Sequence, residues 1–354
     1  MAMTPKERVT AALKCEPVDR MPSSPLNGNA WVNKEAGLSW RDLYDMEDAG
    51  AAIYVDYYNR IHSDIVFPGC GPWMAFACIL GAEVDMRGVG ENMEVKGVLT
   101  ADDLLTDPRL DMTYDEIKEA LLATDHMQFS LKQIREVAKL VGEEKHITGG
   151  PCGAFTMAAV ACGIPNFMKM VGKKRPGLPR LLDFTGRMCA VISDLQVEAG
   201  LTMLFPADPM ASGDMISPKM YKNYVVPATK SYMDNLKSDV PVVTHCCGHS
   251  GAYVEELMDL GMAGFSVDSM VDIEDCLKRA DHKMCMFGNI SPTDPLCIGT
   301  ADQVYKESRR VLDLAYANGG AFVLGSGCDL APGTPIENLQ AMAKAADDAA
   351  QAHR

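Results

Sequence analysis

The sequence predicts an α/β protein of the (β/α)8 TIM-barrel class. About eight short apolar runs alternate with amphipathic segments, which is the order of elements in such a barrel. The runs are apolar on nearly every residue, as expected for parallel strands that are covered on both faces. An open doubly wound sheet is the alternative, and it is disfavoured because no glycine-rich phosphate loop follows any of the runs.

The first half of the chain opens with a helix and supplies four of the strands. Residues 4–7 read Thr-Pro-Lys-Glu, a capping box with proline at the first helical position, and the helix they begin ends before Pro17. Segment 82–100 alternates polar and apolar residues around two glycines, which predicts a hairpin excursion. The other predictions are strands at 20–26, 64–67, 146–150 and 201–205, and helices at 40–58, 131–141 and 181–199.

The second half repeats the strand–helix unit at a shorter interval. The predicted strands start at 240 and cover 264–268, 284–289 and 321–324, and the predicted helices cover 221–236, 253–260, 273–279 and 301–317. Residues 334–337 are predicted to cap a last helix. Because no linker or shift in composition divides the chain, we expect one barrel domain over residues 1–354.

Composition excludes several classes of function. No segment approaches the ~20 continuous apolar residues of a membrane span, and the start of the chain lacks an apolar signal region, so we expect a cytosolic protein without a membrane partner. The net charge of −15 and the absence of a basic stripe argue against nucleic acid. Most of the 12 cysteines are expected to be small core residues, and a few are candidates for metal binding.

The polar residues at the predicted strand ends point to a metal site, because active sites of (β/α)8 barrels lie at the carboxyl ends of the strands. His245 and Cys247 are two residues apart in an extended segment, so both face one side. Cys328 follows the last strand, three steps around the ring, where it can meet them across the barrel mouth. One imidazole and two thiolates form a zinc site with an open fourth position, which is typical of catalytic zinc. The alternative is that the cysteines and the histidine are ordinary core residues.

Five acidic or amide side chains are further candidates at these strand ends. Asp208 and Asp64 are predicted as catalytic carboxylates, although Asp208 could equally cap a loop. Asp268 and Asn289 are predicted to contact a cofactor. Asp329 is a candidate to accept a hydrogen bond from His245 and fix its tautomer.

Several segments resemble the uroporphyrinogen decarboxylase superfamily, and the resemblance covers nearly the whole chain. Residues 11–22 (AALKCEPVDRMP) are similar to its opening, and residues 208–218 to its middle. The pair His245 and Cys247, with Cys328 about 80 residues later, resembles the zinc signature of its methylcobamide:coenzyme M methyltransferase branch, as do residues 288–291 and 328–335. The decarboxylases carry an arginine-rich segment after the first strand. Residues 23–28 contain no arginine, so porphyrinogen decarboxylation is not expected.

The resemblance implies a uroporphyrinogen decarboxylase-like barrel that binds Zn²⁺ and works with a corrinoid (methylcobalamin) supplied by a partner protein. The first hypothesis is a methyltransferase that moves a methyl group between the corrinoid protein and a small thiol such as coenzyme M. The alternative is the donor side, in which a methyl ether or methylamine is demethylated and the methyl group passes to the corrinoid protein. A further alternative is a non-catalytic barrel that is either stabilised by zinc or binds a ligand.

Overall fold

The strands are short, and most of them coincide with the predicted apolar runs. The computed structural model describes residues 2–69 and 73–353. Its strands are β1 (Ile65–Val66), β2 (Val84–Asp85), β3 (Glu94–Val95), β4 (His146–Gly149), β5 (Met203–Leu204), β6 (Val243–Cys246), β7 (Gly264–Val267), β8 (Cys285–Ile290) and β9 (Phe322–Ser326).

Helices connect the strands and form the outer layer. They are α1 (Pro5–Leu13), α2 (Asn29–Ala36), α3 (Trp40–Asp45), α4 (Ala51–Arg60), α5 (Trp73–Ile79), α6 (Asp103–Thr106), α7 (Tyr114–Leu122), α8 (Asp125–Val141), α9 (Ala154–Cys162), α10 (Ile164–Gly172), α11 (Leu178–Ala199), α12 (Pro218–Met220), α13 (Val226–Asn235), α14 (Val254–Asp259), α15 (Ile273–Ala280), α16 (Ala301–Ala317) and α17 (Ile336–Ala352). A π-helical turn, Tyr221–Val225, leads into α13, and 3-10 turns lie at Pro108–Asp111, Pro209–Ala211 and Gly251–Tyr253.

Parallel pairing links eight chain segments into a ring. Strands β1, β4 and β5 pair in that order, and so do β6, β7, β8 and β9. A parallel bridge between Leu204 and Val242 joins the two groups on one side. On the other side Ser23 bridges to Leu324, and the N–H of Asp64 donates to the carbonyl of Ser23 at 2.9 Å. The prediction of a (β/α)8 barrel is confirmed, and its parallel strands place their carboxyl ends on one rim.

The differences from the predicted elements have local causes. The predicted first strand, 20–26, is reduced to the single bridge at Ser23. The predicted helix 40–58 is split into α3 and α4, because Gly50 has a φ of 76° and a Cβ there would lie 2.4 Å from Leu43 Cδ2. Helix α9 was not predicted, since it is buried on nearly all sides and shows no amphipathic period. The last helix has Pro335 at its N-cap, and no side chain caps it.

Strands β2 and β3 pair antiparallel outside the ring, within segment 82–100. Among residues 2–69 and 73–353 no single helix has the length and apolar character needed to cross a bilayer, and only the bent pair α9 and α10, taken together, meets that test.

Candidate metal centre

Three side chains from opposite sides of the barrel converge at the carboxyl rim. His245 lies in β6, Cys247 directly follows it, and Cys328 lies just beyond β9. The Nε2 atom of His245 is 3.2 Å from the Sγ atom of Cys247, which is 3.6 Å from the Sγ atom of Cys328. One donor atom from each residue lies within 4.8 Å of the other two.

The turn after Cys247 directs its thiol toward this point. Gly248 has a φ of 63°, and a Cβ on it would lie 2.0 Å from Asp214 Oδ2, so the position requires glycine. The N–H of Gly248 donates to Oδ2 of Asp268 at 3.0 Å. Because this bond ties the loop after β6 to the end of β7, the orientation of Cys247 is fixed by backbone contacts. Cys246 faces the other way and is buried in the wall, as its place in the strand predicts.

Ser266 sets the tautomer of His245. The Nδ1 atom of His245 is 3.1 Å from the carbonyl oxygen and 3.1 Å from the hydroxyl oxygen of Ser266. A carbonyl oxygen only accepts, so we assign the imidazole proton to Nδ1. The lone pair of Nε2 then faces the two sulfur atoms, as a metal ligand requires.

The two thiols differ in their acidity. A hydrogen bond from Cys247 lowers the pKa of the Cys328 thiol below its ordinary value, and His245 lowers it further. The pKa of Cys247 is raised in turn, because it holds the shared proton next to the Cys328 sulfur. One imidazole nitrogen and two sulfur atoms, one of them readily deprotonated, form the donor set that Zn²⁺ prefers. The residues therefore fit zinc.

Asp208 is hydrogen-bonded through its backbone to His245, one of the candidate ligands. Its carboxylate is buried and accepts hydrogen bonds from the N–H of Thr156 at 2.9 Å and from its hydroxyl at 2.5 Å. Burial raises the pKa of Asp208 to about 6. Its own N–H donates to the carbonyl of His245 at 2.8 Å, which extends the pairing between β5 and β6 to the rim. A catalytic role for Asp208 stays a prediction.

Asp268 and Asn289 bind backbone groups at the rim. The Oδ1 atom of Asp268 accepts from the N–H of Met270 at 3.1 Å, in addition to the bond that its Oδ2 atom makes to Gly248. The Nδ2 atom of Asn289 donates to the carbonyls of Asp268 and Val271 at 3.1 and 3.0 Å. Asp268 thus holds the loop that carries Cys247, and Asn289 holds the loop after β7 that carries Asp268. Their predicted contact with a cofactor stays a prediction.

The placement of Asp64 at the active rim is wrong. Asp64 precedes β1, so it lies at the amino ends of the strands, on the face opposite the metal ligands. Its buried carboxylate binds Arg8 Nη1 at 2.7 Å, Arg20 Nη1 at 2.8 Å and the N–H of Ser23 at 2.8 Å. With these partners Asp64 stabilises the amino-terminal end of the barrel, away from the candidate metal site.

Asp329 does not contact His245 as predicted, because Ser266 occupies that position. Its Oδ2 atom instead accepts a hydrogen bond from Asn27 Nδ2 at 3.1 Å. Its side chain opens into a cavity beside the metal centre. The protein surrounding the carboxylate raises the pKa of Asp329 to about 6, and the charge of Cys328 adds to this effect.

The cavity has a volume of about 260 Å³ and lies within the rim; its described lining includes none of the three candidate ligands but does include two of their neighbours. Asp329 directly follows Cys328 in the chain, and Ala207 forms a parallel bridge with His245. Two of the lining residues are therefore backbone neighbours of candidate ligands. Its described lining consists of Leu26, Asn27, Asn29, Trp40, Phe67, Pro68, Gly69, Asn92, Met93, Thr148, Gly149, Gly150, Pro151, Cys152, Phe205, Ala207, Pro209 and Asp329.

Comparison with known proteins identifies the family. The family described as Uroporphyrinogen decarboxylase (URO-D) matches residues 4–349. The chain belongs to the uroporphyrinogen decarboxylase family. The resemblance noted in the sequence is therefore confirmed, and the cluster of His245, Cys247 and Cys328 lies at the carboxyl rim of a uroporphyrinogen decarboxylase-family barrel.

Within this family the chain is similar to proteins named as corrinoid methyltransferases. It is 28% identical to the methylcobamide:CoM methyltransferase MtaA of Methanosarcina barkeri over 349 residues, which is 98% of each chain. It is 28% identical to the methylcobamide:CoM methyltransferase MtbA of Methanosarcina acetivorans over 97% of each chain. A solved methyltransferase from Methanosarcina mazei superposes with a TM-score of 0.85 at 26% identity, over 98% of this chain and 99% of that one.

Sequence reasoning missed two residues that support the site, Ser266 and Thr156. Ser266 pairs in register with His245 in the β6–β7 ladder, and this pairing is visible only once the strands are aligned. A polar residue in the middle of an apolar run was the available signal. No pattern marked Thr156, because it lies in the unpredicted helix α9.

Proposed function

We propose that this chain is a zinc-dependent methyltransferase that moves a methyl group between a corrinoid-carrying protein and a small molecule held in the rim cavity. On the first hypothesis the small molecule is a thiol such as coenzyme M, the acceptor in the names of its relatives. The observation that carries the proposal is the convergence of His245, Cys247 and Cys328 near a cavity at the barrel rim.

His245, Cys247 and Cys328 would hold the metal. Bound there, zinc would keep a coordinated thiol deprotonated at neutral pH, or would draw electrons from the heteroatom of a methyl donor. Ser266 would keep the imidazole in the tautomer that binds metal. The cavity walls would exclude water and hold the reacting end of the small molecule next to the ligand cluster.

The size of the cavity supports a corrinoid that arrives on a partner. Pockets for drug-sized ligands span about 300–1,000 Å³. A cavity of about 260 Å³ suits a small thiol or amine and excludes a corrinoid, which is larger than most drugs. The partner protein would therefore present its corrinoid at the open mouth, above the cavity.

The donor-side reaction is a second candidate, and one observation favours it. No arginine, lysine or histidine lines the cavity among the described residues, so the cation that a sulfonate-bearing thiol would need is missing there. A methyl amine or methyl ether needs no such partner.

Metal content and methyl transfer from methylcobalamin test the proposal together. Replacing Cys247 with serine should remove most of the zinc and the methyl transfer, while circular dichroism stays that of the folded barrel. Cys297→Ser is the control, because Cys297 is a half-buried cysteine outside the ligand cluster. Full zinc occupancy in Cys247→Ser, measured by elemental analysis of the dialysed protein, would overturn the ligand assignment.

A further inference from the structure

We propose that the small molecule that occupies the rim cavity carries an ammonium group, and that Asp329 is the residue that selects it. The inference rests on the proposed function only in taking the cavity as the substrate site. It separates two ligand classes that a methyltransferase of this kind could use, cationic amines and anionic sulfonates.

The first observation is the charge of the cavity. Asp329 is the one charged side chain among the described lining residues. It accepts a single hydrogen bond, from Asn27 Nδ2 at 3.1 Å, and forms no ion pair with an arginine or lysine in the described part of the chain. A carboxylate has about four acceptor positions, so most of its capacity is open to a ligand. A sulfonate placed here would meet a carboxylate and no counter-charge.

The second observation is the aromatic wall. Trp40, Phe67 and Phe205 all line the cavity and are otherwise buried. The rings of Phe67 and Phe205 pack edge to face, with centroids 5.5 Å apart at 74°. Aromatic faces next to a carboxylate are the usual environment of methylated ammonium groups, because the ring quadrupole attracts a cation whose methyl groups also prefer an apolar wall.

The third observation is an acceptor without a donor. The Oδ1 atom of Asn29, as assigned, is buried and has no hydrogen-bond partner among the described residues. Asn29 lines the same cavity as Asp329. A buried amide oxygen without a donor is unfavourable, and rotation of the Asn29 side chain toward the cavity would let an N–H group of the ligand satisfy it.

An ammonium group fits both directions of methyl transfer. With an aminothiol, the sulfur forms a bond to the methyl carbon as the carbon–cobalt bond breaks. The electron pair stays on cobalt, which goes from Co(III) to Co(I), and the thiol proton leaves to solvent. With a methylated amine, the carbon–nitrogen bond breaks, its electron pair stays on the nitrogen of the neutral amine that is released, and Co(I) becomes methyl-Co(III).

The test uses three thiols that differ only at the end remote from sulfur: 2-aminoethanethiol, 2-mercaptoethanol and coenzyme M, which is 2-mercaptoethanesulfonate. Binding to the zinc-loaded full chain is measured by calorimetry and by intrinsic tryptophan fluorescence, and methyl transfer is measured with methylcobalamin. We expect the aminothiol to bind at least tenfold more tightly than coenzyme M, with the neutral thiol between them. Because 2-aminoethanethiol can also bind zinc through its nitrogen, the part of the difference that Asp329→Asn abolishes is the part that reports the cavity.

The variant Asp329→Asn removes the charge and keeps the shape. It should bring the affinities of the three thiols to within about threefold of one another. Glu91→Gln is the control, because Glu91 is an exposed carboxylate next to the lining residue Asn92 but does not line the cavity. A wild-type preference for coenzyme M, or an amine preference that survives in Asp329→Asn, would overturn the inference.

Trimethylamine with reduced cobalamin distinguishes the two sources of the ammonium group. Methylation of cobalt by trimethylamine would assign a methylated amine, and methylation of 2-aminoethanethiol would assign an aminothiol. Preferential amine binding without methyl transfer to or from any probe would refute the proposed function and leave the charge selection standing. Efficient transfer to coenzyme M, bound most tightly of the three, would refute the charge selection and support the proposed function.

Discussion

Replacing Asp64 with asparagine should destabilise the barrel and leave the metal centre intact. The carboxylate is 1% exposed and binds two guanidinium groups and one backbone N–H. Removing one partner of a buried ion pair costs about 3–5 kcal/mol. We expect the lower end of that range, because Arg8 keeps its bond to Asp19 at 2.7 Å and Arg20 keeps its bond to Asp347 at 2.8 Å.

The loss of folding stability in Asp64→Asn can be measured as a lower melting temperature. With an unfolding entropy of about 2.1 cal/mol/K per residue over 354 residues, a cost of about 3 kcal/mol lowers Tm by about 4 °C. Differential scanning calorimetry measures this shift, and zinc per folded chain should stay at the wild-type level. The control Asp56→Asn removes a carboxylate that is 65% exposed and 3.9 Å from Arg60, and it should change stability by less than about 0.5 kcal/mol. An unchanged Tm in Asp64→Asn, or loss of zinc at an unchanged Tm, would refute this account of the residue.

Two further substitutions test the core and the metal centre. Burial lowers the pKa of His146 to about 4, with Lys6 adding to the effect, so the folded state resists its protonation. Stability should therefore fall as the pH drops from about 6.5 to about 4, by roughly 3 kcal/mol more than in His146→Gln, and urea unfolding at each pH measures the difference. Ser266→Ala leaves the carbonyl that accepts from His245 but removes the hydroxyl, so competition with a chelator should show a zinc affinity about tenfold weaker. An unchanged affinity would mean that the carbonyl alone orients the imidazole.

The strand positions and the cluster of His245, Cys247 and Cys328 could be predicted from the sequence, because each depends on a pattern with one structural interpretation. The apolar runs gave the strand positions, because a strand buried on both faces leaves little choice of residue. The ligand cluster followed from the two-residue spacing of His245 and Cys247 and from the position of Cys328 at the end of the last strand. Neither inference needed the lengths of the connecting segments.

The remaining features depend on contacts between distant segments. Asp64 is the first residue of the predicted strand 64–67, so the direction of the chain already places it at the amino end, and the prediction of a role at the carboxyl rim overlooked this. Its partners Arg8 and Arg20 are revealed only by the fold. Ser266 could not be paired with His245 before the register of β6 and β7 was known. The cavity is formed by loops from both halves of the barrel, so its charge could not be predicted from any one segment.

The closure of the ring also fixes when the site can form. Cys247 and Cys328 are 81 residues apart in the chain, and Asn27 reaches Asp329 across 302 residues. At a synthesis rate of about 5–20 residues per second, roughly 4–16 seconds separate the appearance of the second ligand from that of the third. During that interval the nascent chain carries an imidazole and one thiol, without the partner that completes the set. The three side chains can therefore converge only late in translation, after the last strand has docked.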